Sequence, residues 1–546
     1  MWGVDSLREA LEGARGWARL GRTALRANLL VRPSAFGPRQ LASAVLEGGT
    51  GVRSLHAVHA ALDPNRLAFV DARRRCTYAQ ANAEIDALGT ALRERWGVTA
   101  RAPVAVCMEN RVEYAVLWFA LFRLGVPCVH LSRYGTAEEL GALLLRSGAS
   151  VVVASAQTRA VVRAAAQLYA DCVVLDVDAA GADGYAALTR PVRRPAYGTA
   201  GQSHNVVYTS GTTGQPKGAV RNFGAFGPRT LLEILERLPM RRADTHLVVA
   251  PLYHSGGQVF TLLAAALGNT IVLESSFDPE ATLRSLHVHD VDTVFMVPTM
   301  LRRLLELPQQ AFARHRVSPR AVVCGAAPFL HPLRCAAIER FTARAVFDFY
   351  GATELGWVTL VDGPEMLRKP GSLGRPIPGQ EIAVLDADGR RLPPDTVGRV
   401  YTRSAQRMQG YLADEDASSA IERSGWLTVD DLGRLDAEGS LFLTGRARDM
   451  VISGGVNVYP VEVERVLLEH PAIDDVAVVG VQDEQWGERL VACCVGRPAQ
   501  DETLITWAKE QLAPYKVPRR WVWLDALPRN PTGKVLKRAL VEILEA

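Results

Sequence analysis

The sequence predicts an α/β protein with a large N-terminal domain of layered, largely parallel α/β sheets, a small β subdomain, and a smaller α+β C-terminal domain. The chain has 546 residues, which is more than a single hydrophobic core normally serves. From about residue 50 to 445, apolar β-rich runs alternate with helical patterns. With 48% hydrophobic and 22% charged residues, the composition is that of an ordinary globular protein.

Residues 1–50 are predicted to form an amphipathic N-terminal extension. Residues 4–32 place apolar side chains at helical intervals, with six arginines among them. Two interpretations fit this pattern. A helix docked on the following domain is the one we favour, and a helix in a membrane interface is the alternative.

Residues 51–370 are predicted to form the α/β core. Runs such as "APVAVCME", "HNVVYTS" and "VDTVFMVP" are largely apolar and are followed by helical patterns such as "PTMLRRLLEL". Strands buried on both faces of a parallel sheet have this appearance. Residues 371–445 instead contain short strand-like runs among many turns, which predicts a β-rich subdomain.

A hinge linker is predicted at residues 446–457 and a C-terminal lid domain at 458–546. In this last unit "YPVEVERVLLEH" and "ETLITWAKEQL" predict helices, while "DDVAVVGV", "ERLVACCV" and "RRWVWLDAL" predict strands. A unit of roughly 100 residues is large enough to fold alone. The turn "PRNPTGK" follows the last strand and ends at Lys534.

Charge and cysteine usage exclude several classes of protein. A net charge of +4 is too small to indicate a nucleic-acid partner for so long a chain. The eight cysteines have no CxxC or metal-ligand spacing, which favours buried thiols in a reducing compartment. No apolar run reaches the ~18 residues of a membrane span, and the N-terminus lacks a signal-peptide core. We therefore expect a cytoplasmic protein, with peripheral membrane contact through residues 4–32 as the alternative.

The most informative stretch is "YTSGTTGQPKGAV", residues 208–220. Its glycines let consecutive backbone N–H groups curve around an anion, and its hydroxyls add donors. Lys217, one of six lysines among 62 basic residues, supplies a compact charge for phosphate. The order Pro-Lys-Gly excludes a Walker A loop, which needs Gly before the Lys and a hydroxyl after it. The stretch predicts phosphate binding, and a polar surface turn is the alternative.

This stretch resembles the phosphate-loop signature of the acyl-adenylate-forming (ANL) superfamily, which includes acyl-CoA synthetases, luciferases and peptide-synthetase adenylation domains. The resemblance continues through further motifs in the family's order: "PLYHSGG" (251–257), "CGAAP" (324–328), "YGATE" (350–354), "GSLGRPIPG", "GWLTVDDLG", "TGRARDMVISGGVNVYP" and "NPTGK". It points to an AMP-dependent acyl-CoA synthetase similar to the bacterial fatty-acid–CoA ligases. It also implies that the C-terminal domain is mobile.

The resemblance implies a set of site residues. The ATP contacts are Thr209, Ser210, Gly211, Thr212, Thr213, Gly214, Lys217, Ala326, Tyr350, Gly351, Thr353, Asp431 and Arg446. The catalytic group is Thr209, His254, Glu354 and Lys534. Glu354 is the metal ligand, Arg448 is the hinge residue, and the CoA contacts are Ser453, Gly454 and Gly455.

Elementary chemistry agrees with these roles. Tyr350 offers a flat face for adenine, and a carboxylate such as Glu354 is a usual Mg²⁺ ligand beside a triphosphate. Asp431 suits the ribose hydroxyls as a double acceptor. Because Val429 and Asp430 stand where the family usually has Thr-Gly, Asp430 is the alternative ribose ligand.

Two residues are assigned to particular steps by the resemblance. Lys534 bridges the carboxylate and the α-phosphate, a task that suits a compact ammonium better than a planar guanidinium. His254 lies at the wall between the acyl pocket and the thiol tunnel, where we expect an orienting or gating role rather than acid–base work. Val456 occupies a place often held by a charged residue, so that one contact to nucleotide or CoA is expected to be missing.

The implied reaction converts a carboxylic acid and ATP to acyl-AMP and pyrophosphate, and then forms a thioester with CoA and releases AMP. ATP, Mg²⁺ and CoA are the implied cofactors. A medium- or long-chain fatty acid is favoured for two reasons. The stretch "GQVFTLLAAALGNTIVLESSFDPEATL" is similar to bacterial fatty-acid ligases, and small residues could line a roomy pocket: Gly256, Gly257, Gly325, Ala326 and Ala327. The alternatives are an acyl-AMP ligase that loads a carrier protein, an aryl-CoA ligase, and a catalytically idle nucleotide-binding or membrane-scaffold protein.

Overall fold

The computed structural model describes residues 19–29, 51–169, 172–193, 195–196, 204–209, 216–222, 228–453, 456–483, 487–530 and 533–545. Several residues of the predicted site lie outside these ranges: Ser210, Gly211, Thr212, Thr213, Gly214, Gly454 and Gly455. Most of the predicted N-terminal extension also lies outside them.

The strands of the described residues are, in chain order, β1 (Leu67–Val70), β2 (Arg75–Thr77), β3 (Val104–Cys107), β4 (Cys128–His130), β5 (Val151–Ala154), β6 (Val173–Asp176), β7 (His204–Thr209), β8 (Lys217–Asn222), β9 (Thr245–Val248), β10 (Thr270–Leu273), β11 (Thr293–Met296), β12 (Ala321–Gly325), β13 (Val346–Ala352), β14 (Gly356–Asp362), β15 (Arg375–Pro376), β16 (Gln380–Leu385), β17 (Gly398–Ser404), β18 (Gly410–Tyr411), β19 (Glu422–Arg423), β20 (Trp426–Leu427), β21 (Asp431–Leu435), β22 (Leu441–Arg446), β23 (Val451–Ser453), β24 (Val456–Val458), β25 (Ile473–Asp483), β26 (Gly487–Gly496) and β27 (Arg520–Trp523).

The helices of the same residues are α1 (residues 19–26), α2 (Leu55–Leu62), α3 (Tyr78–Trp96), α4 (Val112–Leu124), α5 (Ala137–Ser147), α6 (Arg159–Tyr169), α7 (Tyr185–Leu188), α8 (Pro228–Arg237), α9 (Ser255–Ala266), α10 (Pro279–Val288), α11 (Pro298–Leu305), α12 (Gln309–Arg314), α13 (His331–Phe341), α14 (Gly363–Arg368), α15 (Glu415–Ala420), α16 (Pro460–Leu467), α17 (Asp501–Gln511) and α18 (Lys537–Glu545).

Two large sheets form the N-terminal domain. Within the described residues, one has nine strands in the order β15-β14-β13-β12-β11-β9-β10-β1-β2, and the other has seven in the order β18-β8-β7-β4-β3-β5-β6. The central strands of both are parallel, and antiparallel pairs occur only toward the edges of these described strands. This confirms the predicted class of layered, largely parallel α/β sheets.

Helix α4 shows how the two sheets share one core. Every residue of Val112–Leu124 is buried, including Glu113, which pairs with Arg111, and Arg123, which pairs with Asp86. Its side chains belong to the same hydrophobic cluster as Phe69 of the nine-stranded sheet and Val106 of the seven-stranded sheet. The helix therefore lies inside the domain and fixes the two sheets relative to each other.

Two smaller sheets follow. The first is antiparallel in its described pairings and has the order β19-β20-β17-β21-β22, with β16 paired to β17. The second belongs to the C-terminal part and has the order β24-β23-β26-β25, with β27 parallel to β26. Strands β23 and β24 pair with each other, so residues that the sequence assigns to the linker are part of this last sheet.

Helix α1 docks on α8 of the N-terminal domain. Leu20 and Ala27 are buried, and the Arg26 guanidinium donates to the Leu235 carbonyl at 2.5 Å. These contacts are those of the docked helix that the sequence favours. None of the helices in the described residues is long and apolar enough to cross a membrane.

Candidate active site

A cavity of about 360 Å³ lies where the carboxyl ends of parallel strands from both large sheets meet. Ligands of open α/β sheets bind at such edges. Its walls follow β3, β4, β9, β10 and β11, and include Asn110, Arg133, Tyr253, Phe277 and Thr299. The opposite wall comes from the C-terminal domain through Arg529, Asn530 and Gly533. The cavity is therefore formed jointly by the two domains.

The phosphate-loop stretch joins two antiparallel strands. Thr209 ends β7 and Lys217 begins β8, and the two residues face each other in the strand register. The strand pair therefore places Thr209 and Lys217 next to each other. The Lys217 ammonium lies 5.4 Å from the centre of the Tyr411 ring.

Glu354 of "YGATE" lies directly beside this strand pair. Its carboxylate is largely buried, with 8% of the residue exposed, and Oε1 accepts hydrogen bonds from the hydroxyls of Thr209 at 3.1 Å and Tyr411 at 3.0 Å. The neighbouring Thr353 hydroxyl is 3.0 Å from that of Ser255 at the start of α9. The structure therefore brings "YGATE", the phosphate-loop strands and "PLYHSGG" together.

These residues fit a Mg²⁺ ion shared with a nucleotide. Mg²⁺ beside a triphosphate usually takes one or two carboxylates and fills its other positions with phosphate oxygens and water. Both hydroxyls on Glu354 bond to Oε1, and no hydrogen bond to Oε2 is found among the described residues. The described residues contain no group of three or more His, Cys, Asp or Glu that could hold a metal alone. Glu354 would thus bind the ion together with phosphate.

Asp431 is the centre of a second polar group. It opens β21 opposite Arg446 of β22, whose Nε lies 3.1 Å from Oδ1. The Tyr350 hydroxyl donates to Oδ2 at 2.6 Å. Burial raises the pKa of this hydroxyl, which therefore remains a donor at physiological pH. Tyr350 thus supports Asp431 directly, a contact that the sequence does not predict.

The alternative ribose ligand, Asp430, is placed differently. Its backbone is in the left-handed region at φ 63°, and its carboxylate pairs with Arg399 at 3.3 Å. The side chain of Asp430 is 42% exposed, whereas that of Asp431 is 9% exposed. Asp431 has the buried, hydrogen-bonded geometry that a fixed acceptor needs.

Lys534 is held by a short turn of its own domain. Its N–H donates to the Asn530 side chain at 2.9 Å, and the Asn530 N–H donates to its carbonyl at 2.9 Å. Gly533 has φ 80°, and a Cβ there would lie 2.2 Å from Thr299 Oγ1 of the N-terminal domain. Gly533, next to Lys534, is therefore packed against α11.

The charge of Lys534 is tuned by its surroundings. Burial, followed by the nearby guanidinium groups of Arg446 and Arg448, lowers the pKa of Lys534 to about 8. The carboxylates of Asp431 and Asp449 act in the opposite direction. Lys534 therefore shares an electrostatic environment with the Asp431 group, as a residue that acts on the α-phosphate must.

His254 lies at the start of α9. Burial lowers the pKa of its imidazole to about 4, so that the ring is neutral at physiological pH. The ring contacts Tyr253 with 4.3 Å between centroids, and Nε2 has no hydrogen-bond partner among the described residues. A neutral ring suits the predicted orienting or gating role, which remains a prediction.

The three glycines among the small residues that suggested a roomy acyl pocket do not create space. A Cβ on Gly256 would lie 2.9 Å from the Phe295 ring, and one on Gly325 would lie 2.4 Å from the Phe349 ring. A Cβ on Gly257 would lie 2.8 Å from the Pro251 carbonyl. These glycines allow rings and backbone to approach closely, so the expectation of open volume is wrong.

The rings that fill this space form one aromatic cluster. Phe260, Phe295, Phe349 and Trp357 have neighbouring centroids 4.9 to 5.8 Å apart, in stacked, tilted and edge-to-face pairs. Three of the rings are buried, and Phe349 is half-buried. Phe349 directly precedes Tyr350, so the cluster adjoins the nucleotide side of the site on the opposite face of β13.

Among the described residues, no hydrogen bond or ion pair joins three further predicted residues to the Glu354 or Asp431 groups. Ala326 follows β12 in a left-handed conformation at φ 66°, which non-glycine residues seldom adopt outside functional turns. Arg448 lies in the single turn Ala447–Asp449, 3.7 Å from the Asp449 carboxylate. Ser453 is buried in the C-terminal sheet, where it pairs with Val456 and Gly487 rather than with the Asp431 group. The hinge and CoA roles remain predictions.

Two residues at the site were not predicted from the sequence. Tyr411 contacts both Glu354 and Lys217. Arg221 is fully buried and donates to the carbonyls of Thr353 at 3.0 Å and Gln406 at 3.1 Å. Arg221 follows the apolar pair Ala219 and Val220 in β8, and an arginine at this place in a predicted strand was a usable signal. No local pattern marks Tyr411, because its position depends on the pairing of β18 with β8.

Comparison with known proteins identifies the class. The AMP-binding enzyme family matches residues 57–412, which is more than half of the chain, and its C-terminal domain matches residues 462–534. The chain therefore belongs to the AMP-binding enzyme family. It is an acyl-adenylate-forming acid–CoA ligase.

Two relatives and one solved structure are similar over most of their length. The 2-succinylbenzoate–CoA ligase of Geobacillus kaustophilus is 33% identical and covers 88% of this chain and 96% of its own. The indoleacetate–CoA ligase of Aromatoleum aromaticum is 33% identical, and the match covers 88% of this chain and 95% of the ligase. The o-succinylbenzoate–CoA synthetase of Bacillus subtilis, solved with its acyl-adenylate, has a TM-score of 0.78 at 30% identity, with 89% and 97% covered.

Proposed function

We propose that this ligase activates an aryl acid, not the medium- or long-chain fatty acid that the small residues suggested. The observation that carries the proposal is the aromatic cluster of Phe260, Phe295, Phe349 and Trp357 beside "PLYHSGG" and "CGAAP". Rings packed against the glycines of both motifs close the site to a long flexible chain. Phe349, the half-buried ring of the cluster, would instead meet a planar substrate with its face or edge.

The two relatives support this choice of substrate class. Their names specify 2-succinylbenzoate and indoleacetate, and both acids carry an aromatic ring. An aromatic pocket recognises such rings by offset or edge contacts, which add about 0.5–1.5 kcal/mol for each pair beyond area burial. The name of a relative does not fix the acid of this chain, so the proposal concerns the class alone.

In the first step, a carboxylate oxygen bonds to the α-phosphorus of ATP while the bond to pyrophosphate breaks. Two anions must meet, so fixed positive charge and positioning dominate catalysis. Lys534 would bridge the carboxylate and the α-phosphate, and Lys217 would hold the departing phosphates. Mg²⁺ held by Glu354 would add charge on the pyrophosphate side. Asp431 would accept the ribose hydroxyls.

In the second step, the thiol sulfur of CoA bonds to the acyl carbon and AMP leaves. The N-terminal wall of the cavity supports CoA as the thiol, because Arg133 and Arg303 line it and suit a phosphorylated cosubstrate. His254 beside Tyr253 would separate this cavity from the acyl site. A carrier-protein thiol is the alternative acceptor.

An acid panel tests the proposal. Purified protein is assayed with ATP and Mg²⁺ for pyrophosphate release with benzoate, phenylacetate, indoleacetate, 2-succinylbenzoate, octanoate and palmitate. We expect kcat/KM for at least one aryl acid to exceed that for both fatty acids by about tenfold or more. A preference for octanoate or palmitate contradicts the aryl assignment. AMP release that depends on added CoA supports CoA over a carrier protein.

A further inference from the structure

The segment 404–412 crosses two parts of the site and bonds to both. The Met408 N–H donates to the Glu354 carbonyl at 2.8 Å, and the Leu412 N–H donates to the Gly218 carbonyl at 2.7 Å. One segment thus joins the turn that carries the metal-binding carboxylate to the strand that carries the phosphate lysine. Their separation is set by backbone hydrogen bonds, which hold it firmly.

Arg221 also ties the segment 404–412 to the turn that carries Glu354. Its fully buried guanidinium donates to the carbonyls of Thr353 and Gln406, one on each side of the junction. A Cβ on Gly356 would lie 2.8 Å from the Gln406 carbonyl, so the segment fits closely over the turn. The segment is therefore a fixed part of the site and not a surface loop.

Tyr411 is the side chain of this segment that touches both charged groups. Its hydroxyl donates to Glu354 Oε1 at 3.0 Å, and its ring lies 5.4 Å from the Lys217 ammonium. A tyrosine hydroxyl can donate to a carboxylate, and a ring face attracts a cation, so a single residue stabilises both charges. Together with Thr209, it occupies one oxygen of the Glu354 carboxylate.

We infer that Tyr411 is a positioning residue, which orients Glu354 toward the metal through its hydroxyl and holds Lys217 at the phosphates through its ring. The inference rests on the proposed function of this site in binding ATP with a divalent ion. The two contacts belong to different parts of the side chain. They can therefore be removed one at a time.

Binding measurements separate the two parts of the side chain. Mn²⁺ replaces Mg²⁺, and electron paramagnetic resonance gives the affinity of the protein for the Mn²⁺–ATP complex. Tyr411→Phe removes the hydroxyl alone and should weaken this affinity about tenfold. In EDTA, calorimetry should find ATP binding unchanged by Tyr411→Phe but weakened about threefold by Tyr411→Leu, which also removes the ring.

Tyr185 provides a matched control. Its hydroxyl donates to Glu84 at 2.6 Å, and the Arg74 guanidinium lies 5.1 Å from its ring centre, yet it lies on α7 outside the site. Tyr185→Phe should leave Mn²⁺–ATP affinity unchanged. An equal loss in Tyr185→Phe and Tyr411→Phe would overturn the inference, because a general effect on the fold would then explain both.

A double-mutant cycle tests the route through Glu354. If Tyr411 acts on the metal through this carboxylate, Tyr411→Phe should cost little Mn²⁺–ATP affinity in a Glu354→Gln background. The inference is overturned, and the proposed function is left standing, if the losses are additive. The same holds if Tyr411→Phe binds Mn²⁺–ATP as tightly as the wild type. A wild-type protein that releases pyrophosphate with no acid overturns the proposed function instead.

Discussion

At the residue scale, we expect the charge of Lys534 to set a pH limit on adenylation. Its pKa of about 8 means that the ammonium is present below pH 8 and is lost as the pH rises through that value. We expect kcat/KM for the acid, measured by pyrophosphate release, to fall above about pH 8, because this ratio reports ionisations of the free enzyme.

Lys534→Arg is the control for the fall in kcat/KM above pH 8. A guanidinium keeps its charge at every accessible pH, although its planar fork suits one partner better than two. The variant should have a lower kcat/KM at pH 7, but its kcat/KM should not fall above pH 8. A decline that persists in Lys534→Arg would show that another group causes it.

Asp431 and Asp430 are neighbours in sequence with different predicted effects on ATP binding. Asp431→Asn removes a buried charge that pairs with Arg446 and accepts from Tyr350, so KM for ATP should rise about tenfold or more. Asp430→Asn disturbs an exposed pair with Arg399, and such pairs contribute little. Steady-state kinetics with varied ATP distinguishes the two variants. A larger effect of Asp430→Asn would assign the ribose to that residue.

At the element scale, the proposed acyl site depends on the rings that β11 and β13 carry. Phe349→Ala removes a ring that packs against Gly325 and Trp357, and should open the site toward longer chains. We expect the ratio of kcat/KM for aryl acid to that for octanoate to fall about tenfold or more. A competition assay with both acids measures this ratio directly.

Phe312→Ala is a suitable control for the ring deletion. Phe312 is buried in a different hydrophobic cluster, with the Arg340 guanidinium 4.1 Å from its ring centre. Its loss should lower the free energy of unfolding by about 3–5 kcal/mol without changing acid preference. If both variants shift the preference equally, the effect comes from lost stability and not from the shape of the pocket.

The same elements show what could be predicted from the sequence. Strands such as "VDTVFMVP" were recognisable because parallel strands buried on both faces are apolar throughout. The glycines of "PLYHSGG" were misleading, because the absence of a side chain does not indicate what fills the space. The rings at Phe295 and Phe349 come from strands distant in sequence, and only the packed fold brings them to these glycines.

Tyr411 was not predicted, because its partners are also distant in sequence. Its partners Glu354 and Lys217 lie far from it along the chain, and the pairing of β18 with β8 brings the three together. In contrast, the residues of "YGATE" and "VDDLG" were accessible as candidates because each is a compact local motif. Their contact through Tyr350 and Asp431 required the arrangement of two separate sheets.

At the scale of the whole molecule, the C-terminal domain is docked with Lys534 beside the Asp431 group. Arg302 of α11 donates to the Asp474 carbonyl at 2.9 Å, and Gly533 packs against Thr299 of the same helix. This arrangement is suited to the first step of the proposed reaction, because it brings Lys534 to the nucleotide. Residues that contact α11 only in this arrangement should affect adenylation more than thioester formation.

Gly533→Ala tests this expectation. The new Cβ would lie 2.2 Å from Thr299 Oγ1, and φ 80° is unfavourable for alanine, so the docked arrangement should be destabilised by about 1–3 kcal/mol. Acid-dependent pyrophosphate release should fall about tenfold or more, while thioester formation from supplied acyl-AMP and CoA should change little. Adding Thr299→Ala removes the close contact but not the backbone strain, so it should restore adenylation in part. Equal losses in both steps would show that docking on α11 serves the whole reaction rather than its first half.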